Sequence, residues 1–107
     1  MELTVNREIQ GQTTTFKLKG MLDISTSKVI DPYLNEIDDI KVLIFDFSEL
    51  AFIDSTGIGS IIDAIYLSQE KNFTLKFVGI DEEIHEVFEM VGLYQILDTI
   101  QEVGIDA

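Results

Sequence analysis

The chain has 107 residues, and its length, composition and charge exclude several classes of protein. It is 46% hydrophobic with a single proline, which predicts one compact domain with one core. Twenty acidic residues against seven basic ones give a net charge of -13, so neither nucleic acid nor an anionic membrane is expected as a direct partner. The sequence shows no signal peptide and no apolar run of about 18 residues, which predicts a cytoplasmic protein. The absence of cysteine excludes disulfides and thiol catalysis.

Four segments have the composition of β-strands. Residues 3–9 and 13–18 flank a Gly-containing turn at residues 10–12, which predicts a hairpin. Both segments are polar at many positions, so we expect both near a sheet edge. Residues 42–45 and 75–78 are short and rich in β-branched or aromatic residues. Such runs are typical of strands covered on both faces, so we expect these two at the centre of the sheet.

Helical spacing of apolar residues follows the third strand. Four isoleucines in residues 58–65 recur at i, i+3, i+4 and i+7, which predicts an amphipathic helix. We expect this helix to end near Lys71. Ser60 and Asp63 are expected to face away from the apolar stripe.

Two further helices are marked by residues at their ends. Asp81 is a plausible cap for a helix that stops at Gly92 and carries a solvated acidic face. Another helix is expected within residues 25–37, where proline removes one backbone hydrogen bond. We expect that helix either to start late at Pro32, with Asp31 as its cap, or to kink there.

The most informative segment is residues 54–59, with the sequence DSTGIG, where the third strand ends and the long helix begins. A helix start has free backbone N–H groups and partial positive charge, so it can hold an oxyanion. Ser55 can itself carry a phosphoryl group, and Gly57 and Gly59 would keep the approach to it clear. Ser and Thr are also ordinary N-caps. On this segment alone a purely structural cap is the more common interpretation, with Thr56 as the cap.

Three stretches of the chain resemble a STAS domain, and the likeness is greatest to bacterial anti-sigma-factor antagonists. They are residues 20–23 (GMLD), residues 42–59 (VLIFDFSELAFIDSTGIG) and residues 88–93 (FEMVGL). The resemblance implies one small α/β domain over residues 1–107, with a mixed sheet of four to five strands and three to four helices. Residues 101–107 are short for the C-terminal helix of the family, so we expect that segment to be truncated or frayed.

The same resemblance implies a partner-switching function controlled by phosphorylation of Ser55. In such a switch the unphosphorylated antagonist binds an anti-sigma-factor serine kinase and thereby frees a sigma factor. The kinase then phosphorylates the antagonist with ATP, and a PP2C-type phosphatase restores it. The implied partner-binding residues are Asp23, Asp54, Ser55, Thr56 and Gly57. For Asp23, a loop residue that caps the next helix is an equally good interpretation.

Other functions remain open on the sequence. A nucleotide- or phosphate-handling protein could use the glycine turn as an anion cradle, but no lysine or arginine lies between Lys41 and Lys71 to neutralise a polyphosphate. A STAS subunit of a larger signalling or transport assembly is a third possibility. No catalytic constellation is recognisable, so we expect no enzyme activity, no cofactor and no metal. The protein is expected to be a monomer or a weak dimer.

The remaining candidate residues have simpler interpretations. Asp46 and Asp54 have no metal-ligand spacing and are expected to be ordinary loop carboxylates. His85 is expected to stand alone on an acidic helix face. Phe47 and Phe52 are expected to pack in the core or at its rim, although one of them exposed beside Ser55 would make a docking anchor.

Overall fold

The computed structural model of the protein describes residues 2–100, apart from the side chain of Ile100. Within that range the chain forms four strands and four helices, which confirms the predicted α/β fold. The expectation for residues 101–107 lies outside the described residues. The elements in chain order are β1 (Leu3–Gln10), β2 (Thr13–Leu22), α1 (Ser27–Asn35), β3 (Val42–Ile53), α2 (Ser55–Lys71), β4 (Thr74–Val78), α3 (Glu82–Met90) and α4 (Leu93–Ile100).

The sheet has the strand order β1-β2-β3-β4. The hairpin of β1 and β2 is antiparallel, as predicted, whereas β2, β3 and β4 run parallel. The predicted positions of two strands are wrong: β4 is an edge strand, and β2 lies inside the sheet between β1 and β3. The polar residues of β2 do not indicate an edge, because they alternate with buried ones and mark an open face of the sheet.

The helices cover one face of the sheet. Phe16 of β2 contacts Tyr33 of α1, and Phe47 of β3 contacts Phe88 of α3 with ring centroids 5.5 Å apart. Alternate residues of β2 and β3 are buried on this side, and the residues between them are partly exposed. The expectation that residues 42–45 and 75–78 are covered on both faces is wrong, because the side chains next to the buried ones in β3 and β4 are partly or fully exposed.

The expected late start of α1 at Pro32, with Asp31 as its cap, is wrong. The helix starts at Ser27 and contains Pro32 in its interior. The first turn is set by the preceding loop, since the Ser27 N–H donates to the carbonyl of Asp23 at 2.8 Å. The Pro32 carbonyl still accepts from Glu36, so the proline costs the helix one hydrogen bond without ending it.

Helix α2 has the predicted end at Lys71, but its buried face is wider than the isoleucine stripe. Ile58, Ile61 and Ile65 are buried, and Asp63 is exposed as expected. Ser60 is buried, which contradicts the expectation that it faces away. Small side chains on a helix allow close packing, and a serine therefore does not mark the solvent side.

The ends of α3 are confirmed. Asp81 caps the helix, because its Oδ1 accepts a hydrogen bond from the Ile84 N–H at 2.9 Å. Gly92 follows the helix with a φ of 73°, a conformation that glycine adopts without strain. Helix α4 comes next and buries Leu93 and Leu97. Across the described helices, none has both the length and the apolar character needed to span a membrane.

Candidate functional site

The predicted site lies where β2 and β3 end next to each other. The two strands are parallel, and Leu22 pairs with Ile53 in the last register position. The Asp54 N–H donates to the Leu22 carbonyl at 3.2 Å. The loop after β2 and the start of α2 therefore meet at the carboxyl end of the strands, which is where open α/β sheets generally place their binding sites.

Asp54 organises this junction. Its backbone is extended, and its Oδ1 accepts a hydrogen bond from the Gly57 N–H at 2.9 Å, so Asp54 is the N-cap of α2. The expectation that Thr56 is the cap is wrong, because Thr56 is already the second residue of the helix. A cap must precede the first helical residue and reach the N–H two or three positions further on. The other carboxylate oxygen of Asp54 accepts from the Ile24 N–H at 3.2 Å.

Ser55 is the first residue of α2 and is exposed, and Thr56 beside it is partly buried. A hydroxyl at this position is open to a partner protein. The first turn of any helix also has N–H groups without intrahelical acceptors and carries partial positive charge. An oxyanion on Ser55 would therefore be stabilised by α2 and would stand next to the carboxylate of Asp54.

The close packing of α2 against the ends of β2 and β3 requires a glycine at position 57. A Cβ atom added to Gly57 would lie 2.3 Å from the carbonyl oxygen of Leu22 and 2.9 Å from Cγ1 of Ile53. A Cβ at Gly59 would have no atom within 4 Å. Gly57 thus brings α2 against the end of β2, which is a more specific role than leaving the approach to Ser55 clear. Gly59 has no such packing role.

Asp23 fixes the loop between β2 and α1. Its carboxylate accepts hydrogen bonds from the Ser25 N–H at 2.9 Å and from the Ser25 hydroxyl at 2.6 Å. The bond from the Ser25 hydroxyl is the main reason that the pKa of Asp23 is below its ordinary value, although burial opposes the shift. The Asp23 carbonyl accepts from Thr26 and Ser27. The interpretation of Asp23 as the cap of the next helix is wrong, because the N-cap of α1 is Thr26 and no side chain caps that helix end. Asp23 instead holds the loop that precedes α1.

Two exposed apolar residues lie close to the junction in sequence. Phe52 is 46% exposed, and Ile24 is 76% exposed. Phe47, in contrast, is buried in the aromatic core. Sequence reasoning misses Ile24, although one signal is present: it is an apolar residue in an otherwise polar turn between a strand and a helix.

The remaining candidates lie outside this junction. His85 does not stand alone, because its Nδ1 lies 2.9 Å from the Tyr94 hydroxyl and its Nε2 lies 3.3 Å from Oε1 of Glu89. The contact with Tyr94 joins α3 to α4, whereas Glu89 lies on α3 itself. Asp46 accepts from the Ser48 N–H at 2.9 Å. Within the described part of the chain, no group of three or more His, Asp or Glu side chains is arranged to hold a metal ion.

The dual role of Asp54 leads to a stability prediction. Asp54→Ala removes both the cap of α2 and the acceptor for Ile24, so we expect it to lower the free energy of unfolding by about 1–2 kcal/mol. Asp63→Ala, on the exposed side of the same helix, should leave it within about 0.5 kcal/mol. Urea unfolding followed by circular dichroism measures both. Equal midpoints for the two variants would show that the Asp54 bridge does not support the fold.

The fold agrees with the comparisons to known proteins. The chain belongs to the STAS domain family, whose profile matches residues 4–104. It is 24% identical over 100 residues to an anti-sigma F factor antagonist of Paenibacillus polymyxa, covering 91% of this chain and 86% of the relative. It is 22% identical over 99 residues to an anti-sigma-B factor antagonist of Staphylococcus aureus, covering 91% and 92% of the two chains.

Solved structures show the same fold. The anti-sigma factor antagonist SpoIIAA in its unphosphorylated form aligns with a TM-score of 0.68 at 19% identity, covering 81% of this chain and 83% of SpoIIAA. The phosphorylated form of Bacillus SpoIIAA aligns with a TM-score of 0.66 at 19% identity, covering 86% of each chain.

Proposed function

We propose that this protein is a phosphoregulated anti-sigma-factor antagonist of the cytoplasm, without catalytic activity of its own. In its unphosphorylated form it binds an anti-sigma-factor serine kinase and so releases a sigma factor. The kinase phosphorylates Ser55 to end the interaction, and a PP2C-type phosphatase reverses the modification. The observation that carries this proposal is an exposed serine hydroxyl as the first residue of α2, at the carboxyl end of the sheet.

The charge of a phosphate explains how such a switch works without refolding. Phosphorylation of Ser55 adds about -1.5 to -2 charges next to Asp54. In the free protein, solvent and the N-terminus of α2 stabilise this charge. In a complex the phosphate loses solvent and faces a partner surface that fits a neutral hydroxyl. Each 1.4 kcal/mol of lost binding free energy weakens the affinity about tenfold.

The neighbouring residues have distinct roles in the proposed docking surface. Asp54 and Gly57 position Ser55, because the first caps α2 and the second lets the helix approach β2. Thr56 is only partly buried and borders the serine, and Asp23 holds the adjacent loop. SpoIIAA, which shares this fold, is described in both an unphosphorylated and a phosphorylated form, and this supports the proposed switch.

Phosphotransfer tests the proposal. The purified protein is incubated with ATP and with each anti-sigma-factor serine kinase of the same organism, and the modified residue is mapped by mass spectrometry. We expect one phosphate, on Ser55, and no modification of Ser55→Ala. A phosphate on another residue, with Ser55→Ala still modified, would contradict the assignment of the site.

The charge of -13 leads to a kinetic prediction. Acidic proteins are steered towards basic surfaces, and salt screens this attraction beyond about 10 Å at 0.1 M ionic strength. We therefore expect stopped-flow association with the kinase to slow markedly as salt is raised, while dissociation changes less. Asp63→Asn, about 12 Å along α2 from Ser55, should lower the association rate more than Glu70→Gln, about 22 Å away. An association rate that does not depend on salt would mean that the acidic surface has no part in docking.

A further inference from the structure

Ile24 presents a largely exposed aliphatic side chain at the same end of the sheet as Ser55. Its exposed fraction is 76%, and its N–H donates to Oδ2 of Asp54 at 3.2 Å. Single exposed apolar residues are common on protein surfaces. The significance of Ile24 therefore depends on how firmly it is held and on what surrounds it.

The loop around Ile24 is fixed by hydrogen bonds on both sides of the residue. The Asp23 N–H donates to Oγ1 of Thr26 at 2.9 Å, and the Thr26 hydroxyl donates to the Met21 carbonyl at 2.7 Å. Thr26 is buried, and Ser25 is bound through its N–H and its hydroxyl to Asp23. The backbone of Ile24 is therefore ordered before any partner binds, which lowers the entropic cost of docking.

The same carboxylate connects Ile24 to the phosphorylation site. Oδ1 of Asp54 caps α2 through Gly57, and Oδ2 holds Ile24. Asp54 thus fixes the position of the Ile24 backbone relative to the start of α2, where Ser55 lies. Two carboxylates, Asp23 and Asp54, flank the exposed isoleucine. A complementary surface would combine an apolar pocket for the side chain with basic groups around its rim.

We propose that Ile24 is the apolar anchor by which this protein docks on its anti-sigma-factor kinase, in a pocket that is bordered by lysine or arginine. This inference rests on the proposed function. The flanking carboxylates favour a basic protein surface as the occupant. A second copy of this chain, which also carries a charge of -13, would be repelled, as would an anionic membrane. Interface hot spots lie in well-packed, desolvated pockets near the centre of an interface, and the exposed Ile24 side chain could fill such a pocket.

The role of Ile24 is in binding and not in phosphate transfer. Its contacts with the kinase are the same before and during the transfer of phosphate to Ser55. Loss of such uniform binding raises KM and leaves kcat unchanged. This distinguishes an anchor from a residue that positions the reacting hydroxyl, because loss of the latter lowers kcat.

Ile9 provides a matched control. It is also an isoleucine, it is 63% exposed, and it pairs with Thr14 near the beginning of β2. The junction with Ser55 follows Leu22, at the other end of that strand. Ile24→Ala and Ile9→Ala therefore remove the same atoms from exposed positions at opposite ends of the sheet.

The experiment uses the kinase that phosphorylates Ser55 in the phosphotransfer test. Its Kd for the unphosphorylated protein and the kcat and KM of phosphorylation are measured for the wild type, Ile24→Ala, Ile24→Val and Ile9→Ala. We expect Ile24→Ala to raise Kd and KM about tenfold with kcat unchanged. Ile24→Val should stay within about threefold of the wild type, since it retains most of the apolar side chain. Ile9→Ala should not differ from the wild type.

The outcomes separate this inference from the proposed function. Normal phosphorylation of Ser55 together with an unchanged Kd for Ile24→Ala would overturn the anchor and leave the function intact. An equal loss of affinity in Ile9→Ala, or a fall in kcat without a rise in KM, would also overturn it. If no kinase binds or phosphorylates the wild type, the proposed function fails and the anchor fails with it.

Discussion

Gly57→Ala is expected to unfold at a much lower urea concentration than the wild type, and Gly59→Ala at an equal or higher one. The Cβ that alanine adds at Gly57 would lie 2.3 Å from the carbonyl oxygen of Leu22, a backbone atom at the end of an inner strand that cannot move aside. Overpacking typically costs about 1–3 kcal/mol, and we expect the upper end of that range here because the crowded atom belongs to the backbone. A domain of this size has only about 5 to 15 kcal/mol of stability to lose.

Gly59 is the matched control for this prediction. It lies two residues further along α2, and an added Cβ would meet no atom within 4 Å. Alanine in a helix is about 1 kcal/mol more favourable than glycine, so Gly59→Ala should be neutral or stabilising. Equilibrium urea unfolding, followed by far-ultraviolet circular dichroism, measures both variants. Similar midpoints for Gly57→Ala and the wild type would show that α2 does not approach β2 as closely as described.

Ser55→Glu is expected to weaken binding to the kinase by about tenfold to a hundredfold, whereas Ser55→Ala should bind like the wild type and remain unphosphorylated. The glutamate supplies part of the charge of a phosphate at the docking surface, and each tenfold loss corresponds to 1.4 kcal/mol. An acidic residue in the first turn is favourable for a helix. The variant should therefore fold normally, and the loss of affinity would be specific to the interface.

Gln69→Glu is the control for the added charge. Gln69 is exposed near the other end of α2, so its replacement adds the same charge far from the proposed surface. Calorimetric titration with the kinase in the presence of ADP gives the affinity of each variant. An equal effect of Ser55→Glu and Gln69→Glu would mean that net charge alone controls binding. Unchanged affinity of Ser55→Glu would argue against a docking surface at the start of α2.

The parts of the fold that depend on local sequence were predictable. The cap at Asp81, the helix stop at Gly92 and the end of α2 at Lys71 each follow from the preferences of a few adjacent residues. The strand-to-helix junction at Ser55 was predictable for the same reason, because a strand pattern changes there to a helical one. The identity of the α2 cap was not predictable, since Asp54 and Thr56 are both good caps and only the backbone conformation decides between them.

The order of the strands and the burial of small residues depend on contacts between distant segments. β4 has the composition of an inner strand but lies at the edge of the sheet, and no local pattern specifies its neighbour. Ser60 has a polar side chain but is buried, and its residue type does not indicate this. The exposure of Ile24 depends on the loop from Asp23 to Thr26 and on its bond to Asp54, which lies thirty residues away.

Measurement of sigma-factor release tests most directly whether phosphorylation of Ser55 controls the proposed partner switch. A complex of the anti-sigma-factor kinase with its sigma factor is formed, and the free sigma factor is measured as this protein is added in its unphosphorylated form or phosphorylated on Ser55. We predict that the unphosphorylated form releases the sigma factor, that the phosphorylated form does not, and that treatment with a PP2C-type phosphatase restores release. Equal release by both forms, or none by the unphosphorylated form, would contradict control of the partner switch by Ser55.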